Sequence, residues 1–155
     1  MCGQTAGVNE DEHRRQHAQW LARAAAVPLA RLATTSARTG AIDLVPVTFA
    51  IVDGCFVTAV DHKPKSTRDL ARLANVRASG TATVLVDEWH DDWSQLWWVR
   101  MRGDAREVAD MGLPVAVAAI DALVAKYAQY REYRPEGPLL VVTPTDIRSW
   151  SAAGD

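Results

Sequence analysis

An Asp-Gly pair between two apolar runs constrains the fold of this chain more than any other local feature. The residues on either side of Asp53 and Gly54 are rich in Val, Ile, Phe and Thr. Asp-Gly between β-branched runs is typical of the tight turn that joins two antiparallel strands. The sequence therefore predicts a β-hairpin made of Ile42–Val52 and Cys55–Val60.

Short strand patterns continue along the chain and outnumber the helical ones. Helices are predicted over Asn9–Ala26, Thr67–Ala74 and Pro114–Tyr130, and further strands over Arg31–Thr35, Thr81–Val86, Leu96–Val108 and Leu139–Thr143. Asp87–Ser94 is predicted as a loop, and a C-terminal tail ends near Trp150. Because strands and helices do not alternate, and no Gly-rich dinucleotide fingerprint is present, an antiparallel barrel is favoured over a doubly wound sheet. The expected fold class is mainly β with flanking helices, built on six strands.

Charge and cysteine content exclude several classes of protein. The 155 residues include 17 basic and 19 acidic side chains, for a net charge of -2, which lacks the basic footprint of a general nucleic-acid or anionic-membrane binder. No run reaches the roughly 18 apolar residues of a membrane helix, and the cysteines show no metal-binding or disulfide spacing. We expect one cytoplasmic domain over residues 1–155, with a loose tail at 1–8, and no metal site.

The most uneven charge distribution lies just after the predicted hairpin. Of the three lysines in the chain, Lys63 and Lys65 flank Pro64, which favours an extended backbone and lets both ammonium groups project to similar sides. Ser66 and Asp69 then match the capping box that begins a helix, where free N–H groups and the helix dipole favour an anion. The segment predicts a phosphate or carboxylate site. The alternative is a solvated turn in which Ser66 only caps the helix.

The long predicted strand Leu96–Val108 carries further candidates, and the Gly103 inside it predicts a bend. Side-chain alternation separates two faces, one with Trp98, Arg100 and Arg102 and the other with Trp97, Val99 and Met101. One face is expected to be core or dimer interface and the other to meet a ligand, because tryptophan stacks on planar rings and arginine pairs with carboxylates. The alternative is that the rings only pack and that Arg100 makes a structural ion pair.

Other reactive side chains are given ordinary structural roles. His90 is followed by Asp91 and Asp92, but no third partner has metal-ligand spacing, so a solvated acidic loop is favoured over a metal site. Cys55 lies in an apolar strand and is expected to pack as a small residue. No paired carboxylates and no Ser/His/Asp set are recognisable in the sequence, so no catalytic side chain is assigned.

Two stretches of the sequence resemble a known family. Arg31–Asp87, which includes the motifs VPVTF and TAVDHKPK, and Asp91–Val108, with the sequence DDWSQLWWVRMRGDAREV, are similar to the pyridoxamine 5'-phosphate oxidase-like, FMN-binding split-barrel superfamily. They resemble above all its actinobacterial branch of coenzyme F420-dependent oxidoreductases (FDOR-B type). The resemblance covers about half of the chain. It implies a homodimer of six-stranded split β-barrels with two cofactor grooves at the subunit interface.

The resemblance also implies positions for a flavin-type cofactor. Its ring is expected along Pro46, Val47 and Thr48, and above Thr58, Ala59 and Val60. The phosphate end of its tail is expected at Lys63 and Lys65, with Arg68 as a third positive charge. Trp98 and Arg100 are the remaining candidate contacts, and Trp150 either reaches over the groove of the partner or only packs.

The implied activity is that of a coenzyme F420-dependent oxidoreductase, which transfers a hydride between the deazaflavin and an unsaturated or conjugated organic substrate. The lack of a recognisable acid–base set is compatible with this, because the cofactor carries the chemistry. One alternative is an FMN-dependent oxidoreductase or oxidase of the same fold. Another is a protein that binds a cofactor or other ligand without turnover. Several basic anchors favour coenzyme F420, whose tail is longer and more anionic than the single phosphate of FMN.

Overall fold

A computed structural model describes the backbone of residues 5–60 and 67–154 and the side chains of residues 9–60 and 71–154. Its helices are α1 (Thr5–Ala25), α2 (Thr67–Ser79), α3 (Pro114–Lys126) and α4 (Ala128–Glu132). Its strands are β1 (Ala30–Thr35), β2 (Ile42–Val47), β3 (Ala50–Val52), β4 (Cys55–Ala59), β5 (Thr81–Glu88), β6 (Trp97–Val108) and β7 (Leu139–Ser151). None of the described helices has the length and apolar character needed to span a membrane.

The strands form one antiparallel sheet whose two ends are joined by a very short piece of chain. The order across the sheet is β2-β1-β5-β6-β7-β4-β3, so β2 and β3 lie at opposite ends. Only Thr48 and Phe49 separate β2 from β3 in the sequence, and a chain of that length spans at most about 10 Å. The sheet must therefore curl until its ends meet. The predicted barrel of mainly β class, with flanking helices, is confirmed.

The Asp-Gly hairpin is confirmed, but its first strand is interrupted. Asp53 and Gly54 have φ values of 50° and 76°, the positive angles that a tight hairpin turn requires. The predicted strand Ile42–Val52 is two strands, because the chain leaves β1 at Val47 and joins β4 at Ala50. The sheet thus has seven strands rather than the predicted six.

The C-terminal strand is much longer than predicted. β7 has 13 residues and pairs with β6 along its whole length, so the prediction of a strand ending at Thr143 and a following tail was wrong. The register shifts between Arg102 and Gly103, where a Cβ on Gly103 would lie 2.0 Å from the carbonyl oxygen of Thr143. The predicted bend at Gly103 is thus a β-bulge with close backbone contact.

The helices also differ from their predicted limits. α1 begins at Thr5 rather than at Asn9, and α2 continues to Ser79. The predicted helix Pro114–Tyr130 is divided because Tyr127 adopts an extended backbone conformation between α3 and α4. The helical spacing of apolar residues continued across this break, so periodicity alone did not reveal it.

Two apolar clusters lie on the two sides of the sheet. The barrel interior contains apolar side chains from the inward positions of β1, β5 and β6, among them Leu32, Val84 and Met101. Phe49 and Phe56 also lie there, with their rings stacked at 5.2 Å between centroids. α1 covers one end of it through Trp20, which packs on Trp97 at 6.1 Å between ring centroids. α3 covers the opposite side of β4 and β7 through Ile120 and Leu123.

A buried asparagine ties α2 to the hairpin of β1 and β2. The side-chain amide of Asn75 donates to Thr34 Oγ1 at 3.0 Å and to Asp43 Oδ2 at 2.8 Å, and its Oδ1 accepts from the backbone N–H of Ala37 at 2.9 Å. Each buried polar atom of this side chain is therefore paired. These bonds set the position of α2, which begins immediately after residue 66.

Tyr127 and Tyr130 hold the chain where it crosses from β2 to β3, a segment that we call the β2–β3 seam (Val47–Ala50). The hydroxyl of Tyr127 accepts from the N–H of Phe49 at 3.0 Å and lies 2.9 Å from the carbonyl oxygen of Pro28 and 3.1 Å from that of Phe49. The hydroxyl of Tyr130 bonds to Thr48 Oγ1 at 2.6 Å. The break between α3 and α4 thus places two tyrosines against the closure of the barrel.

Lys126 lies beside these tyrosines in an apolar environment. Its Nζ is 3.6 Å from the centroid of the Phe49 ring and 5.3 Å from that of Tyr127. Among the described residues this buried nitrogen has no hydrogen-bond partner. Burial lowers the pKa of Lys126 to about 8, because the charged form loses hydration.

Replacing Tyr127 with Phe tests the role of its hydroxyl at the seam. Tyr127→Phe leaves the N–H of Phe49 without its acceptor, so we expect the free energy of unfolding to fall by about 1–3 kcal/mol. Urea denaturation measures this change. Tyr133→Phe, at an exposed tyrosine, is the control and should change stability by less than about 0.5 kcal/mol. Equal effects of the two substitutions would contradict a closing role for Tyr127.

The pH dependence of stability tests the environment of Lys126. The pKa of about 8 in the folded state lies below the value of 10.5 for an unperturbed lysine, so the unfolded state binds more protons between these pH values. The native protein should therefore gain stability relative to Lys126→Met as the pH rises from 8 to 10.5. We expect a gain on the order of 1 kcal/mol, because the side chain is only half-buried. A stability difference that is constant with pH in urea titrations would show that the ammonium is solvated.

Candidate functional site

Two of the predicted cofactor segments flank the pairing of β3 with β4. β3 pairs with β4 in a register that places Ala50 opposite Val57. Pro46 and Val47 end β2, and Thr48 leads with Phe49 into β3, whereas Thr58 and Ala59 follow Val57 along β4. Both predicted groups are thus next in sequence to residues of the β3–β4 hairpin.

The edge of β2 offers backbone groups at this place. In the described part of the chain, β2 pairs with β1 alone, so its other edge carries N–H and C=O groups that no strand uses. Pro46 is exposed and Val47 is buried, so the strand presents one side to the barrel and one to solvent. A free strand edge can bond the amide-like edge of a planar heterocycle.

The side chains of β4 are mostly buried. Thr58 and Ala59 are only 5% and 6% exposed, and their backbones pair with Leu140 and Leu139 of β7. A gap of about 10 Å³ next to Val60, Arg72 and Leu73 is close to the minimum that holds one water molecule. β4 is therefore buried from Phe56 to Ala59, and Val60, which follows it, is partly exposed.

The predicted anion site falls mostly outside the described residues. Lys63, Lys65 and the capping Ser66 belong to residues 61–66, and the side chain of Arg68 is likewise not described. The flanking elements are described: β4 ends at Ala59, and α2 begins at Thr67. The lysine pair therefore follows the strand that borders the seam, and its role stays a prediction.

Trp98 and Arg100 lie on a different surface, which we call the outer face: the side of β2, β1, β5, β6 and β7 turned away from the barrel interior. The predicted alternation along β6 is confirmed, since Trp97, Val99 and Met101 are buried. Cross-strand pairs run from Pro46 through Arg31 and Leu85 to Arg100. Three strand spacings separate Pro46 from Arg100, or about 14 Å. One copy of the chain thus does not bring these two predicted groups together.

Arg100 has unused donor capacity on the outer face. Its guanidinium lies 3.8 Å from Asp146 Oδ2, while Arg148 donates to Asp146 Oδ1 at 3.1 Å. Two arginines therefore share one carboxylate. Arg100 Nε is buried and, within the described ranges, has no hydrogen-bond partner. The two arginines and the carboxylate of Asp146 together have a net positive charge, which an anionic group would complement.

The outer face also carries exposed apolar side chains among its charged ones. Ile42 and Leu44, on the edge strand β2, are 66% and 65% exposed. Trp98 lies opposite Trp150 in the pairing of β6 with β7, and Trp150 is also exposed. A groove of about 330 Å³ runs between Ile42 and Arg102 over Thr83. Exposed apolar patches of this kind mark interaction surfaces.

The acidic loop has a structural explanation. β5 extends to Glu88, and the loop contains a short 3-10 helix, Trp93–Gln95. Asp92 caps this helix and accepts from Ser94 N at 3.0 Å, and bonds from Ser94 and Gln95 lower the pKa of the Asp92 carboxyl. His90 Nε2 lies 3.7 Å from Glu88. No group of three or more His, Cys, Asp or Glu side chains within residues 9–60 and 71–154 is arranged to hold a metal ion.

Sequence reasoning did not assign the tyrosines and the lysine at the seam to the site. Tyr127 lies at the end of an apolar helical pattern, which predicts packing for it, and Lys126 precedes it in the sequence. Three features were available as signals: the lone lysine outside the charged segment, the two tyrosines three residues apart, and the position at the end of a helix. None of these identifies a partner elsewhere in the chain.

Comparisons with known proteins address the family and the fold. A family model described as pyridoxamine 5'-phosphate oxidase matches residues 15–151. A conserved hypothetical protein from Mycobacterium tuberculosis has 17% sequence identity and a TM-score of 0.68, over 87% of this chain and 84% of that one. A FAD-binding protein from Mesorhizobium loti has 19% identity and a TM-score of 0.62, over 88% and 90% of the two chains.

A third similar structure is the heme storage protein HutZ from Vibrio cholerae, with 13% identity and a TM-score of 0.60 over 92% of this chain and 93% of that one. No functionally curated protein gives a significant match to the sequence. The family match spans most of the chain, and the similar structures share its barrel. The chain is therefore a member of the pyridoxamine 5'-phosphate oxidase family and has its split-barrel fold.

Proposed function

We propose that the protein is an oxidoreductase that binds coenzyme F420 and transfers a hydride between this deazaflavin and an unsaturated or conjugated organic substrate. The observation that carries the proposal is the two-residue connection between the edge strand β2 and β3, the strand that pairs with β4. The lysine pair follows β4 within six residues of Ala59 in the sequence. A planar ring at this connection and an anionic tail at the lysines would therefore have neighbouring sites.

The residues present fit a flavin-type ring and its tail. Backbone groups at Pro46–Thr48 would bond the polar edge of the ring, because the hydroxyl of Thr48 is already engaged by Tyr130. Thr58 and Ala59 would form a dry wall beside it, since both are buried. Lys63, Lys65 and Arg68 would neutralise the tail. The bound cofactor supplies the hydride chemistry.

The described side chains have supporting rather than reactive roles in this proposal. Tyr127 and Tyr130 hold the backbone that contacts the ring, and Asn75 holds the helix that follows the lysine pair. Orientation of cofactor and substrate is the contribution that such a scaffold makes to the rate. Solvent is the proton source in this proposal.

A second copy of the chain completes the site in this proposal. Arg100 lies about 14 Å from Pro46 in one copy, so Arg100 and the neighbouring Trp98 are expected to meet the cofactor bound mainly by the partner. Ile42 and Leu44 give the outer face the exposed apolar surface that a homodimer buries. The shared carboxylate of Asp146 leaves positive charge on this face for the anionic cofactor.

Two other functions are compatible with the fold. An FMN-dependent oxidoreductase would use the same ring site with a shorter tail. A binding protein without turnover would also need no acid–base set, and the similarity to proteins named for FAD binding and heme storage supports including both ligands in any test.

Cofactor binding can be measured by fluorescence titration with oxidised coenzyme F420, with FMN and with FAD. We expect tighter binding of coenzyme F420, and we expect Lys63→Ala and Lys65→Ala each to weaken it by roughly 3- to 10-fold, about 0.7–1.4 kcal/mol. The loss should shrink at high salt, because these charges are screened. Arg14→Ala, at an exposed arginine of α1, is the control. Tighter binding of FMN would overturn the choice of cofactor, and unchanged affinity in both lysine variants would overturn the anion site.

Reoxidation of the cofactor in the same complex distinguishes an enzyme from a binding protein. The reduced cofactor should be reoxidised faster when quinone, enone or tetrapyrrole acceptors are added to the complex than when they are added to free cofactor. No acceleration across such a panel would favour the binding protein, and preferential binding of hemin over both flavin-type cofactors would favour a heme ligand.

The homodimer is tested by placing a charge on the outer face. Leu44→Glu should raise the dimer dissociation constant at least about tenfold, because a carboxylate would be buried without a partner. Sedimentation velocity over a concentration series measures this constant. Val117→Glu, at an exposed apolar position of α3, is the matched control and should leave the dimer unchanged. A wild-type protein that is monomeric at all concentrations, or an unaffected Leu44→Glu dimer, would exclude this interface.

A further inference from the structure

The connection between β5 and β6 exposes two tryptophans that we call the tryptophan corner (Trp89 and Trp93). Their side chains are 69% and 68% exposed. The ring centroids lie 6.3 Å apart, with an angle of 65° between the planes. The corner therefore presents two aromatic surfaces at a steep angle to each other.

The loop that carries the corner is held by its own hydrogen bonds. Asp92 accepts from Ser94 N at 3.0 Å, from Ser94 Oγ at 2.7 Å and from Gln95 Nε2 at 3.2 Å. At the base of the loop, Glu88 accepts from Trp97 Nε1 at 3.0 Å. A loop ordered in this way loses little further conformational entropy when a ligand binds.

The barrel does not explain why these two rings are exposed. Trp97 and Trp20 belong to the barrel cluster and are buried, whereas Trp89 and Trp93 belong to neither apolar cluster of the sheet. Single exposed apolar residues are common. Two large rings in mutual contact on an ordered loop form a surface of the type used for binding.

The charged residues of the loop favour a ligand with a positive charge. Glu88, Asp91 and Asp92 are acidic, and His90 lies 3.7 Å from Glu88. The faces of the tryptophan rings carry negative electrostatic potential, which attracts cations. Rings and carboxylates together therefore favour a cation and disfavour an anion, including the tail of the proposed cofactor.

The hydrogen bonds within the loop limit which kind of cation the tryptophan corner can bind. Asp92 is occupied by Ser94 and Gln95, and Glu88 is occupied by Trp97 and approached by His90. Asp91 is the acidic residue of the loop that these bonds do not engage. A primary ammonium or a guanidinium needs several acceptors for its N–H groups. A fully alkylated ammonium has no N–H group to satisfy and is held through aromatic faces and charge.

We propose that the tryptophan corner is a binding site for an alkylated ammonium group of the trimethylammonium type, either on a small molecule or on a modified lysine side chain of another protein. The site is independent of the proposed cofactor function. It lies on the β5–β6 connection, and its two walls are Trp89 and Trp93.

Indole N–H signals in ¹H–¹⁵N spectra of the full chain test this site, with Trp89→Ala and Trp93→Ala used to assign the two signals. Choline is the cationic probe, and 3,3-dimethyl-1-butanol is its neutral counterpart of the same shape. We expect choline to shift both signals saturably with a dissociation constant on the order of 1–10 mM. The neutral alcohol should bind at least about fivefold more weakly, because it lacks the charge that the rings attract.

Matched variants complete this test. Trp89→Ala and Trp93→Ala should each abolish the shift of the remaining indole, whereas Trp150→Ala, at an exposed tryptophan on the outer face, should preserve binding. Asp91→Asn should weaken choline binding about two- to threefold without changing the rings. Equal response to choline and the neutral alcohol would overturn the proposal, as would indole signals that do not respond because a second copy covers the corner.

The source of the ammonium group is distinguished by a short peptide that contains trimethyllysine. Binding of this peptide at least about tenfold tighter than choline would identify a protein side chain as the ligand, and equal or weaker binding would identify a small molecule. The proposal requires the methyl groups on the ammonium nitrogen whichever source supplies it. The unmodified lysine peptide should therefore bind more weakly than the trimethylated one. Tighter binding of the unmodified peptide would contradict an alkylated cation.

Discussion

The rest of the structure depends on the crossing of the chain from one edge of the sheet to the other at Thr48 and Phe49. Two residues must close a seven-stranded sheet, so the sheet has to curl and bury its interior. The hydroxyl of Tyr127 binds the backbone of Phe49 and approaches that of Pro28, and Tyr130 binds Thr48. Polar groups at the crossing are thereby paired where the strand ladder stops. The helices α3 and α4 thus stabilise the barrel in two ways, by packing on it and by hydrogen bonds at its closure.

The same crossing creates the candidate site. It ends the pairing of β2 with β1, and it leads into β3, which pairs with β4. The buried side chains of Thr58 and Ala59 make the wall of the site rigid and dry. Trp98 and Arg100 are carried by the outer face, three strands away. A fold that closes on itself at one edge therefore distributes the candidate residues over two surfaces.

Charge in this protein is arranged locally although its sum is small. The lysine pair and Arg68 form a basic segment after β4, and Arg100 and Arg148 share one carboxylate on the outer face. The connection between β5 and β6 is instead acidic and aromatic. The net charge of -2 conceals this separation. Two of the three regions are therefore basic, and the third is acidic and aromatic.

The sequence by itself determined the class of the fold and most of its elements, because these depend on local patterns. Asp53-Gly54 requires a tight turn, and alternation along β6 sorts Trp97, Val99 and Met101 into the core without knowledge of any partner. The family motifs also placed the candidate groups Pro46–Thr48 and Thr58–Val60, which stay predictions. The features that join residues distant in the sequence were decided only by the tertiary structure. The break of Ile42–Val52 depends on sheet closure, the full length of β7 depends on pairing with β6, and the break at Tyr127 depends on hydrogen bonds to Phe49. Local propensity contains no information about such partners, because their free energy arises only when the chain has folded.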